Sequence, residues 1–167
     1  MKKILLALLM ILVVTLSACT KENKNYKFVG HYDKFITIFS NSVRMDDYES
    51  YLNFISDKAE PHVRAFEDLL NYDETFFENN TLLYIAYERL DSGVDVKLDS
   101  VKIIENELVF SFSYKGPDAT MVIHTEMHLV EISKNYLKDY PIRLIVTKYQ
   151  PEQSISEIRA DKIITNE

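Results

Sequence analysis

A single cysteine in a chain of 167 residues excludes an internal disulfide, so the fold must be held by packing and hydrogen bonding. Only three glycines and four prolines are present. That scarcity excludes collagen-like and Gly/Pro-rich low-complexity architectures. Tryptophan is absent, and the aromatic load is eleven tyrosines and nine phenylalanines, residue types that favour cores and sheet surfaces. Positive charge is in deficit, with 19 Lys and Arg against 26 Asp and Glu and a formal net charge of −7. Nucleic-acid-binding domains concentrate basic residues, so the balance argues against that partner. No G-x-S-x-G elbow and no Gly-rich phosphate loop occurs.

What is present begins at the N-terminus. Lys2 and Lys3 precede thirteen apolar or near-apolar residues, Ile4 to Leu16, and small residues follow. That is the layout of a secretory signal peptide. A membrane-spanning helix needs about 20 apolar residues. Thirteen is too few, and the polar stretch Thr20-Lys21-Glu22-Asn23-Lys24 prevents any extension.

The stretch Leu16-Ser17-Ala18-Cys19 resembles a complete bacterial lipobox. The resemblance implies cleavage between Ala18 and Cys19 and a diacylglyceryl group on the Cys19 thiol. Each buried CH₂ contributes about 0.8 kcal/mol, and two acyl chains anchor firmly where one holds marginally. The covalent lipid is the only prosthetic group expected, and the membrane is the first expected partner. The location is then the extracytoplasmic face of the cell membrane. Once Cys19 is lipidated, no thiol remains for catalysis, metal binding or a disulfide.

Three segments are expected. Residues 1–18 are a signal peptide that is removed. Residues 19–27 are the lipidated cysteine and a polar tether, and residues 28–167 are a single α+β domain. The tether from Thr20 to Lys27 reaches at most about 26–29 Å. Removing residues 1–18 leaves 149 residues and takes the formal charge from −7 to −9, because two lysines and no acids are lost. A chain of that size is one domain, and its charge gives the body no attraction to an anionic membrane.

Within the body, Lys34 to Phe39 alternates and predicts a first strand. Tyr48, Tyr51, Leu52 and Ile55 follow at helical spacing, with Asp46 and Asp47 at the favourable end. Pro61 suits the first turn of a second helix, with Val63, Phe66, Leu69 and Leu70 inward. Asp73 is placed to cap one more turn through Phe77. From residue 82 the pattern turns to strands. "LLYIAYE" is apolar on both parities, as in a strand covered on two sides. Leu108, Phe110, Phe112 and Tyr114 share one face. A parity slip at Asp99-Ser100 predicts a β-bulge or a break between strands. Glu105-Asn106 turns the hairpin, and "MHLVEIS" and "IRLIVTKY" are further strands. The tail after Gln153 is open between a capping-box helix start at Ser154 and Glu157 and an edge strand at "KIIT". The expected fold is α+β. It has an antiparallel sheet of about five to seven strands, with two or three helices inserted after the first strand and packed on one face.

"HTEMH", residues 124–128, invites a metal reading. Its spacing differs from H-E-x-x-H, and the local pattern is that of a strand. There His124 and His128 share a face about 13 Å apart at roughly 3.3 Å per residue, too far for one ion. They are read as sheet-surface histidines and no metal is assigned. The paired acids in "MDDYE" and "YDETFFE" sit where helix starts want negative charge, so no catalytic residue is assigned either.

Tyr72, Asp73, Phe76, Phe77, Asn80, Leu82 and Leu83 carry a further likeness. The stretch from 72 to 138 is similar to small Gram-positive lipoproteins and, more distantly, to the C-terminal domain of PrcB-like protease-complex accessory subunits. The resemblance implies a β-rich accessory module without catalysis. Taken together, the residues lead to a cell-envelope lipoprotein that binds a protein or a small ligand. Two alternatives stay open. One is a hydrolase with a non-local active site using His124 or His128. The other is an assembly or stress factor that pairs an exposed sheet edge with another chain.

Overall fold

Asn80–Arg89 is apolar on both parities because both of its faces are covered. Its neighbours explain how. The computed structural model describes residues 25–34, 42–56, 61–89, 96–115, 124–150 and 155–164. Eight strands run through these residues: β1 (Tyr26–Lys34), β2 (Val43–Met45), β3 (Asn80–Arg89), β4 (Val96–Ile104), β5 (Glu107–Lys115), β6 (His124–Ser133), β7 (Ile142–Gln150) and β8 (Ile155–Ile164). Four short helices accompany them: α1 (Tyr48–Phe54), α2 (Pro61–Ala65), α3 (Glu74–Asn79) and α4 (Lys134–Leu137). One sheet has the order β1-β6-β3-β2 and is wholly antiparallel. The other has the order β4-β5-β7-β8, with β5 and β7 parallel.

The two sheets pack face to face. Leu83, Ile85 and Tyr87 of β3 and Val130 and Ile132 of β6 meet Leu108, Phe110 and Phe112 of β5 and Ile142, Leu144 and Val146 of β7. The opposite parity of β3, Leu82, Tyr84 and Ala86, packs with Met127 and Leu129 under the layer that contributes Tyr51, Phe66 and Phe77. Fully burying one such side chain contributes about 1.5–3 kcal/mol, and both faces of β3 and β6 collect that gain.

The α+β class matches the sequence reading, and so do α1 to α3 packed on one face, whereas α4 adds Leu137 to the inter-sheet core. The single sheet of five to seven strands does not match: eight strands form two sheets. The cause is visible in β3 and β6. A helix layer covers only one face of each, so the second apolar face requires another sheet. β1 begins at Tyr26, and so takes in Tyr26 and Lys27 of the stretch read as tether. Lys34 ends that strand, and residues 35–39 of the expected first strand lie outside the described residues.

Local signals held where they were local. Asp47 caps α1 through Ser50 N, and Asp73 caps α3 through Phe76 N. Lys134 Nζ donates to the Phe77 carbonyl in the last turn of α3 (2.6 Å). The ladder between β4 and β5 slips between Leu98 and Ser100. Glu105 and Asn106 have φ of 49° and 64°, the left-handed pair of a tight hairpin. The tail is β8, an edge strand that pairs with β7 alone. Val63 and Phe66 are buried as expected, but Leu69 is 39% exposed and leans over Gly30 from the surface.

Candidate functional site

Along β6 the side chains alternate between the two covered faces. Val130 and Ile132 point between the sheets, whereas Met127 and Leu129 point at the helix layer. Glu126 and His128 share the parity of Val130, so a carboxylate and an imidazole enter a largely apolar inter-sheet core. Glu126 is 1% exposed and His128 is 5% exposed. His128 is therefore not the sheet-surface histidine its sequence context suggested. The second sheet covers the face that a single sheet would leave wet.

The third member comes from β1. Phe28 pairs with Val130, but the ladder slips so that Gly30 pairs with Leu129 and His31 with His128. Val29 is the extra residue of a β-bulge. Both Val29 and Gly30 face the helix layer: Val29 packs against its core, and a Cβ on Gly30 would lie 2.5 Å from Leu69 Cδ1 and 2.9 Å from Phe66 Cε1. The slip brings His31 to the face occupied by Phe28, Glu126 and His128. A regular strand would have turned it to the helix layer.

The geometry is tight. His31 Nε2 donates to Glu126 Oε2 at 2.5 Å, between side chains that are 49% and 1% exposed. The His31 and His128 rings stack with centroids 4.7 Å apart and 15° between planes. Phe112 stacks on His128 at 4.7 Å, Tyr87 stacks on it at 5.8 Å, and Phe28 meets it edge-on at 6.1 Å. The Tyr87 hydroxyl lies 3.4 Å from His128 Nε2. Burial, assisted by His31 alongside, pushes the His128 imidazole down to about 3, so it is neutral at physiological pH. Donor atoms of His31, Glu126 and His128 all lie within 4.8 Å of one another. Chemically, this is a two-imidazole, one-carboxylate cluster with one partly exposed member.

Other polar side chains are held structurally. Thr81 Oγ1 and Arg44 Nε both donate to Asp46 Oδ1, at 2.7 and 2.9 Å. The Tyr72 hydroxyl donates to Glu131 Oε1 at 3.0 Å. Arg143 grips Asp161 with two hydrogen bonds of 2.7 Å and reaches Glu107 at 3.2 Å, joining β5, β7 and β8. Lys162 Nζ donates to the Ala86 carbonyl at 2.7 Å, bridging the two sheets, and burial lowers its pKa. Lys148 is also buried, on the inward parity of β7.

Ala18 and Cys19 lie outside the described residues. Of the two histidines weighed in "HTEMH", His128 belongs to the cluster. His124 is half-buried at the start of β6 and does not belong to it. Sequence reasoning missed His31, although its neighbourhood carried a signal. A lone glycine inside the strand-like run Tyr26 to Asp33 marks a bulge or a close backbone approach, and Gly30 serves both. Comparison with family models, curated proteins and solved structures gives no match, so the cluster is read from its own geometry. Among the described residues no helix is long and apolar enough to cross a membrane.

Proposed function

We propose that the chain is a cell-envelope lipoprotein, anchored through Cys19, whose folded body is a binding or accessory module without catalysis. The observation that carries the reading is the unbroken Leu16-Ser17-Ala18-Cys19 sequence behind an apolar leader. A body of formal charge −9 has no electrostatic attraction of its own to an anionic surface, so the lipid supplies the attachment. β1 starts at Tyr26, seven residues after Cys19, which keeps the sandwich within about 25 Å of the membrane at full extension.

The body's geometry supports binding over hydrolysis. A general base works best with a pKa near the operating pH. His128, one of the two histidines weighed for a hydrolase, is sealed beneath Phe112, Tyr87 and Phe28, and burial holds it far below that range. Metabolic labelling of cells with a palmitate analogue tests the anchor. Label on the wild-type chain that vanishes in Cys19→Ala is expected, and label that survives the change refutes it. In-cell crosslinking followed by mass spectrometry tests the module, with specific recovery of an envelope partner as the expected result. Turnover of generic ester, peptide or phosphate substrates that disappears in His128→Ala would replace this reading with the hydrolase.

A further inference from the structure

The inter-sheet core is largely apolar where β6 and β3 face β5 and β7, but Glu126 and His128 of β6 and Lys148 of β7 enter it. Desolvating a carboxylate is costly, and a buried ion pair is often no more stable than an apolar replacement of the same volume. Valine or leucine at 126 and 128 would continue the pattern of Val130 and Ile132. Instead the chain places a carboxylate and an imidazole there, and a bulge in β1 brings a second imidazole to meet them. From these three residues we propose a binding site for one divalent transition-metal ion, with zinc as the representative.

Three observations carry the assignment. First, the donor set is two imidazoles and one carboxylate, which suits zinc and its first-row neighbours. Calcium and magnesium prefer all-oxygen cages. Second, the spacing is close to what an ion needs. Metal–donor bonds of about 2.0–2.2 Å put tetrahedral donors roughly 3.3 Å apart. Here one pair is at 2.5 Å and all three donors fall within 4.8 Å. An imidazole lone pair lies in the plane of its ring, so the half-exposed His31 turns out of its stack on the fixed His128 ring for both nitrogens and Glu126 to reach one ion. His31 is half-exposed, so it has room to adjust and gives the ion an entry path. Third, the surroundings are already rigid. Phe112 and Tyr87 fix the plane of the His128 ring, and the Tyr87 hydroxyl stands beside its Nε2, the supporting role that outer partners play around metal ligands. Three protein donors leave a fourth position for water or a ligand.

The site does not depend on lipidation at Cys19, and it is tested on the full chain purified in detergent. Cobalt(II) serves as the spectroscopic probe, and zinc is measured by competition with a chromophoric chelator. The expected result is saturation at one ion per chain, with visible ligand-field bands of a four- or five-coordinate cobalt centre. His31→Gln changes a half-exposed residue and Glu126→Gln is isosteric, so both variants are expected to keep the wild-type circular dichroism. Each should weaken zinc binding by at least about 100-fold, the upper end of what loss of a supporting group costs. Absence of saturable one-to-one binding in the wild type overturns the proposal. So does an affinity unchanged in both variants, which would place the ion elsewhere on the chain.

Discussion

His31 and His128 lie directly opposite each other on β1 and β6, with their rings stacked 4.7 Å apart. One is half-exposed and joined to the buried carboxylate of Glu126, while the other is buried under aromatic rings. The same strand pairing thus holds one imidazole beside a negative charge and keeps its neighbour dry and neutral.

The pairing of His31 with Glu126 has a measurable consequence for stability. His31→Ala withdraws a charge-assisted partner from a carboxylate that is 1% exposed, and a hydrogen bond to a charged group contributes about 1.5–3 kcal/mol. A loss of about 2 kcal/mol in urea unfolding is expected. Adding Glu126→Leu should recover most of that loss, because the buried charge goes with it. A double variant no more stable than His31→Ala alone would show that Glu126 is held by other groups.

The stability of the metal-free protein should fall in acid for a reason that lies in His128. Its folded pKa is about 3, against 6.5 in the unfolded chain. Between those values the unfolded state binds a proton that the folded state refuses, so stability decreases as pH falls from 6.5 towards 3 and levels off below. The total is on the order of a few kcal/mol. Chelator-treated protein melted at stepped pH checks the slope. In His128→Leu the part of the slope between pH 6.5 and 5, above the ordinary carboxylate range, should disappear.

Much of this fold is legible in the sequence because the signals are local. Leu108, Phe110, Phe112 and Tyr114 announce β5 by alternation, the parity slip at Asp99-Ser100 marks the bulge in β4, and Asp73 is a cap by its spacing to Phe76. The division into two sheets is not legible. Alternating strands look the same in one wide sheet as in two facing ones, and the parallel pairing of β5 with β7 leaves no local trace. The site was hidden for the same reason. His31 and Glu126 are 95 residues apart, and only the pairing of β1 with β6, corrected by the bulge at Val29, joins them.

The hairpin between β4 and β5 places Glu105 in the left-handed region, where a non-glycine residue gives up roughly 1–2 kcal/mol. Asparagine tolerates that conformation better and favours this turn. Glu105→Asn should therefore raise stability by about 0.5–1 kcal/mol, read as a higher Tm. Glu105→Val, β-branched and poorly suited to positive φ, should lower it by about as much. The reverse order would mean that the turn has a different geometry in solution.

Gly30 is where the bulge and the helix layer compete for the same space. A Cβ there meets Leu69 Cδ1 at 2.5 Å and Phe66 Cε1 at 2.9 Å. Leu69 is 39% exposed and can swing away, whereas Phe66 is 1% exposed and packed against Tyr84. Gly30→Ala is expected to cost about 1–3 kcal/mol through overpacking. In that background Leu69→Ala should restore only part of the loss, because the Phe66 ring remains. Because His31 follows Gly30 in the chain, the strain should also loosen the stacking of His31 on His128, seen as a change in the imidazole NMR signals of both residues. Full rescue by Leu69→Ala would mean that Phe66 yields, and that the helix layer is softer over the site than its burial indicates.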